Sequence, residues 1–234
     1  MNILIEDEWN AHDIIEYCQE NNLQYRVLSQ KEITKLCKFE FFEGPFFCDT
    51  KIAQKYLHEN GWNDKIPDTY PEIFNKFYKR NIKKIKFNEL NKQPYPFFIK
   101  SISNNKQISG TVISNHKEEN NLWLINDIIP YTDMELYVSN VVKFIVEYRL
   151  LIGNGKLYGK GYQQGNKFVN LDDKFTKEII GLCGNNFYCM DVGLLSDINE
   201  WAIVEVNPPF SLDDYDIPLD NYIEYAIEFW KSLK

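Results

Sequence analysis

The chain has 234 residues, 34 of them acidic and 26 basic, for a formal net charge of −8. That length allows one substantial domain or two small ones, with a core that needs no disulfide or metal support; the 44% hydrophobic and 26% charged content excludes global disorder. An acidic field repels phosphates, so a surface that coats nucleic acid is excluded, and any anion must be held in a locally basic pocket.

The opening residues, Met1-Asn2-Ile3-Leu4-Ile5-Glu6-Asp7, meet acid too early for a secretory signal, and no stretch approaches the roughly 18 apolar residues of a membrane span. The five cysteines (Cys18, Cys37, Cys48, Cys183, Cys189) are odd in number and contain no C-x-x-C pair. That pattern speaks against a secreted disulfide scaffold and against a zinc ribbon. Reduced, buried thiols and a cytoplasmic location are expected, with neither membrane nor nucleic acid as partner.

In chain order, residues 2–5 read as a short strand and 11–21 as an amphipathic helix, with Ile14, Ile15 and Cys18 at helical spacing. Residues 25–28 form a second strand, and Ser29 is a candidate N-cap for the turn beginning at Gln30. This β-α-β opening predicts a small parallel unit. After a turn at Gly44-Pro45, Asp49 or Thr50 caps a helix running to about His58. The proline-rich stretch 62–71 marks a boundary, and a helix is expected from Pro71 through Tyr78. The basic run 79–86 reads as a solvated helix end and loop.

From residue 95 the pattern becomes β. Residues 95–102 and 107–114 read as paired strands around Asn104-Asn105, and Leu122 to Ile125 as a further strand. Residues 136–152 are long and β-rich and return over 156–162 through Asn154-Gly155, a strong short hairpin signal. A helix over 176–183, strands over 187–194 and 201–206, and an amphipathic helix over 219–233 complete the chain.

Two constellations carry chemistry. Alternation places Glu205 and Asn207 on one face of a strand; if it pairs with the strand of Asp191, three oxygen-bearing side chains converge. Carboxylate and amide oxygens suit Mg²⁺, which keeps positions open for nucleotide phosphates. A polar face on an edge strand is the plainer alternative. In the hairpin, Glu147, Arg149 and Leu151 share a face. A two-residue type I′ loop pairs Gly153 with Lys156 and sets Arg149 opposite Lys160 and Glu147 opposite Tyr162. Opposed cations call for an anion over that face, unless Lys160 simply points into water.

The order of these elements resembles the ATP-grasp superfamily. A strand ends in lysine (Phe97-Phe98-Ile99-Lys100), a hairpin carries a second lysine and a glycine (Lys106, Gly110), and a connecting strand, E-x-R and D…E-x-N follow. Residues 138–149 are similar to the S-E-P-V-x-F-x-x-E-[YW]-R segment of a clade of small ATP-grasp proteins. The resemblance implies an α+β fold in which two lobes clasp a nucleotide, behind a reduced parallel α/β domain. The boundaries would be 1–68 for the leading domain and 69–234 for the ATP-grasp domain, with lobes 69–137 and 138–234.

By the same resemblance Lys100 and Lys106 would contact ATP phosphates, and the backbone of Asn140, Val141, Val142 and Lys143 would hold adenine. Glu147 would accept ribose hydroxyls, Arg149 with Lys160 would act on the transferred phosphoryl group, and Asp191, Glu205 and Asn207 would hold Mg²⁺. Asn140 stands where the family's hinge has glutamate, and Pro208-Pro209 follows the metal-site asparagine. The implied activity is an ATP-dependent carboxylate–amine or carboxylate–thiol ligase, its partners a small-molecule or peptide carboxylate and an amine acceptor. A non-catalytic nucleotide-binding module and a kinase on the same fold are the alternatives.

Overall fold

A computed structural model of the chain describes residues 2–7, 11–39, 44–102, 108–125, 133–210, 213 and 215–233. The first unit is parallel, as its β-α-β spacing predicts. Strand β1 (Asn2–Glu6) lies between β2 (Gln24–Leu28) and β3 (Phe46–Phe47), with Ile3 beside Tyr25 and Leu4 beside Phe46. Helices α1 (Ala11–Glu20), α2 (Gln30–Phe39) and α3 (Thr50–Glu59) connect and flank them. Asp49 caps α3 by accepting the Lys51 amide at 2.7 Å. At the start of α2 the Ser29 amide and hydroxyl both donate to Glu32, at 2.9 and 2.6 Å, satisfying donors that a helix start leaves open.

Two antiparallel sheets follow. One is ordered β4 (Ile82–Lys86), β7 (Glu135–Asn140), β5 (Phe97–Ser101), β6 (Thr111–Ile113); α4 (His116–Ile125) belongs to this part of the chain. The other is ordered β11 (Trp201–Asn207), β10 (Tyr188–Leu195), β8 (Phe144–Gly153), β9 (Lys156–Gly165), with helices α5 (Asp173–Cys183) and α6 (Leu219–Lys231). Residues 141–143 link β7 of one sheet directly to β8 of the other. Among the described residues no helix is long and apolar enough to cross a membrane.

Three readings of the sequence are corrected here. The basic run does not end a helix: residues 82–86 are strand β4, whose edge lysines discourage pairing with another chain. Residues 122–125 are not a strand but the end of α4. The Asn115 side chain accepts the Glu118 amide at 3.1 Å while Glu118 accepts the Ser114 amide at 2.7 Å, a start signal that decides an apolar run ambiguous between helix and strand. The helix expected after Pro71 is a 3₁₀ segment, Glu72–Phe77. Asn104-Asn105 lies outside the described residues.

Alternating faces divide the second antiparallel sheet between two cores. Tyr148, Leu150, Ile152, Met190 and Val192 pack with Phe175 and Ile179 of α5 and with Phe74 and Phe77 of the 3₁₀ segment. On the opposite face, Leu151 and Cys189 join the parallel unit and α6 in a core with Ile3, Ile5, Phe46, Tyr56, Tyr225 and Phe229. Cys18, Cys183 and Cys189 are buried free thiols, and burial pushes Cys183 up to about 12, well out of a reactive range.

Candidate active site

The β8–β9 turn forms as its Asn-Gly pair requires. Asn154 and Gly155 both have positive φ (47° and 68°), and Gly153 pairs with Lys156. Beyond it the register departs from expectation. Leu151 pairs with Gly159 but Ile152 with Leu157, so Tyr158 is an extra residue on β9. Its ring is buried against Tyr225 and Phe187, at 5.4 and 6.2 Å between centroids. This slip sets Gly161, not Lys160, opposite Arg149. A second extra residue, Gln163, then sets Gln164, not Tyr162, opposite Glu147. A one-residue shift turns a side chain to the other face. Lys160 is therefore opposite Leu150, exposed, with its ammonium 5.6 Å from the Tyr148 ring, and the expectation that it joins Arg149 is corrected.

The remaining residues converge. Arg149 on β8, Asp191 on β10 and Glu205 on β11 are direct neighbours across three strands, and Asn207 pairs one step along with Cys189. Arg149 Nε and Nη2 donate to the two Asp191 carboxylate oxygens at 2.8 and 2.9 Å, and Asn207 Nδ2 donates to Asp191 Oδ2 at 2.9 Å. Both charges are nearly removed from water, at 2% exposure for Asp191 and 6% for Arg149. Burial alone would push the guanidinium down, but the Asp191 carboxylate outweighs it and holds Arg149 above its ordinary value.

The face of Arg149 lies 4.3 Å under the Tyr215 ring, and its Nη1 donates to the Asp213 carbonyl at 3.2 Å. Gly161 makes this cover fit, since a Cβ there would meet the Tyr215 carbonyl oxygen at 2.0 Å. Glu147 lies two residues from Arg149 on the same face and accepts a bond from Gln164 at 2.8 Å. Burial raises its carboxyl, and the nearby Asp191 and Glu205 charges add to the rise.

The first antiparallel sheet faces this row. Lys84, Tyr137 and Lys100 stand side by side on β4, β7 and β5. Lys100 reaches across to Glu205 in an ion pair between the two sheets. The Tyr137 hydroxyl donates to Asp68, which also accepts Lys84 Nζ at 3.0 Å. Asn140, Val141, Val142 and Lys143 form the link between the sheets; the Asn140 side chain accepts the Asn81 amide at 3.1 Å, and the Lys143 carbonyl accepts the Ser196 amide at 2.9 Å. Lys106 lies outside the described residues, while Gly110 sits under the Phe98 ring, where a Cβ would come within 2.9 Å.

Two further side chains reach the site without a sequence motif to flag them. Tyr215 covers Arg149 from an irregular segment. Arg80, hidden in the lysine-rich run, donates to the carbonyls of Ile203 and Val204 on β11 at 3.3 and 2.5 Å, beside Tyr70. Among the described residues no cluster of three or more His, Cys, Asp or Glu could hold a metal. The oxygen donors here are two carboxylates and an amide.

The arrangement, a cation-bearing sheet facing a carboxylate–guanidinium row, has counterparts among solved structures. The fold matches D-alanine–D-alanine ligase from Bacillus anthracis complexed with ATP, with a TM-score of 0.57 and 12% identity over 100% of both chains. It matches macrocyclase MdnC from Microcystis aeruginosa MRC, bound with precursor peptide MdnA, with a TM-score of 0.57 and 10% identity over 98% of each chain. A third match is the ATP-grasp ligase PsnB complexed with minimal precursor, with a TM-score of 0.59 and 7% identity over 97% of this chain and 98% of that one. Identities this low establish a common fold, the ATP-grasp fold. Curated proteins yielded no sequence match. The sequence profile of an ATP-grasp domain, the second family of its clade, matches residues 77–225, more than half of the chain, and the protein belongs to that ATP-grasp family.

Proposed function

We propose that the protein is an ATP- and Mg²⁺-dependent ligase that joins a carboxylate to an amine or thiol through an acyl phosphate, with the cytoplasm as its compartment. The observation that carries this reading is the Arg149–Asp191–Glu205 row set against Lys100 across the facing sheet. The carboxylate oxygen attacks the γ-phosphorus of ATP and ADP leaves. The amine then attacks the acyl carbon, phosphate departs, and the amine gives up a proton. Lys100 supplies positive charge to the phosphates, and Arg149, oriented on two sides by Asp191, stabilises the charge that builds on the transferred group. Backbone groups of 140–143 would hold adenine, and Glu147 would accept the ribose hydroxyls.

The donor set fits Mg²⁺. Glu205 and Asp191 are cross-strand neighbours, and Asn207, its amide nitrogen committed to Asp191, keeps a carbonyl oxygen for the ion. So few protein ligands suit an ion that keeps several waters and phosphate oxygens. Bound there, Mg²⁺ would neutralise phosphate charge during transfer.

Calorimetric titration tests the reading. Mg·ATP is expected to bind, and Glu205→Ala is expected to bind ATP no more tightly with Mg²⁺ than without it, while unfolding remains cooperative. Absence of binding at millimolar Mg·ATP would overturn the assignment.

A further inference from the structure

Edge strand β11 contains the irregularity on which the proposed metal site depends. Asp191 pairs with Glu205 and the next residue, Val192, pairs with Ile203, so Val204 is an extra residue opposite β10. Regular alternation puts residues 203 and 205 on one face. Ile203 is fully buried in the core under α5, and an unbulged strand would bury Glu205 beside it. The bulge instead returns Glu205 and Asn207 to the face of Asp191 while Ile203 and Val206 stay in the core.

Arg80 binds that bulge from outside the sheet. In a regular strand successive carbonyls point in opposite directions; here those of Ile203 and Val204 both accept from one guanidinium. A planar fork of parallel donors can hold two adjacent carbonyls, which a lysine ammonium does less well. The guanidinium is seated over the Tyr70 ring, 5.5 Å from its centroid, and the Thr69 carbonyl accepts the Val206 amide at 3.0 Å. Residues 69–80 thus bond to β11 on both sides of Glu205.

We infer that Arg80 is a positioning residue: by holding the Val204 bulge it aims Glu205 into the cleft, where Asp191 and Asn207 complete the oxygen set. The bulge is independent of function, whereas the consequence for metal rests on the Mg·ATP reading above.

Arg80→Ala, Arg80→Lys and the core truncation Phe74→Leu, which loosens the same segment without touching the bulge, separate positioning from general destabilisation. Two readouts are needed, amide hydrogen exchange over residues 201–207 and ATP affinity with Mg²⁺ and with EDTA. Arg80→Ala is expected to speed exchange at Val204–Val206 and to cut the Mg²⁺-dependent gain in ATP affinity by about 10-fold or more, the usual effect of removing an outer partner of a metal ligand. Its affinity in EDTA should be unchanged, Arg80→Lys should recover part of the loss, and Phe74→Leu should lower stability alone. Equal loss of ATP affinity with and without Mg²⁺ would make Arg80 a nucleotide contact and overturn the inference. Unchanged exchange at the bulge would overturn it as well. If the wild-type protein binds no Mg·ATP, the ligase reading falls, and amide exchange still decides the role of Arg80.

Discussion

At the scale of single residues, the centre of the site is a buried ion pair, and its energetics follow from what each charge loses on leaving water. Desolvation of two ions costs about as much as their attraction returns, so an intact pair adds little, but a single member left behind is strongly destabilising. Asp191→Asn strands the Arg149 guanidinium at 6% exposure with only the Asp213 carbonyl and the Tyr215 ring for company. We expect a loss of about 3–5 kcal/mol in denaturant unfolding at neutral pH. The double substitution Arg149→Leu with Asp191→Leu removes both charges and should cost clearly less than Asp191→Asn alone. A double variant as unstable as the single one would show that the pair itself, and not the stranded charge, dominates.

At the scale of elements, most of the fold could be read from the chain and the failures share one cause. Turn chemistry and alternation are local, so the Asn154-Gly155 hairpin, the parallel opening and the common face of Glu205 and Asn207 were all predictable. The bulges escaped, because Tyr158, Gln163 and Val204 are extra residues only with respect to a partner strand. Tyr158 leaves the ladder to bury its ring against α6, a contact no local window contains. Lys160 was misplaced for that reason alone. Arg80 was invisible because its partners, Ile203 and Val204, lie more than a hundred positions away. The glycines of β9 are legible only afterwards: Gly159 and Gly161 leave room for Ile217 and Tyr215. A Cβ on Gly161 would meet backbone at 2.0 Å, so Gly161→Ala must displace the cover over Arg149, and overpacking of this kind costs about 1–3 kcal/mol. Gly181→Ala, inside α5 with nothing within 4 Å of the new methyl, should instead gain about 0.5–1 kcal/mol. Thermal unfolding of the two variants side by side checks the contrast, and shifts of the same sign would sink it.

At the scale of the whole molecule, the net charge of −8 is compatible with an anion site because charge is arranged locally. Arg149 is matched by Asp191 and Lys100 by Glu205, so the cleft is neutral before Glu147 and Arg80 are counted. The same local reasoning applies to the leading segment. The boundary expected near residue 68 follows from composition, yet the apolar core ignores it. Phe46 lies 4.8 Å and Tyr56 6.2 Å from the Trp230 ring of α6, and Phe47 lies 6.0 Å from Tyr222. Leu151 and Cys189, on the far end of the sheet that bears Arg149 and Asp191, share that core. Removing the first unit would bare an aromatic surface on α6 and one face of the catalytic sheet, and patches of that kind drive association. Residues 69–234 expressed alone are therefore expected to bind a hydrophobic dye, to self-associate in sizing chromatography more than the full chain does, and to lose near-ultraviolet circular dichroism. A monodisperse fragment with the full chain's aromatic signal and cooperative unfolding would show that residues 69–234 are a self-sufficient domain and that the leading unit serves only the substrate side.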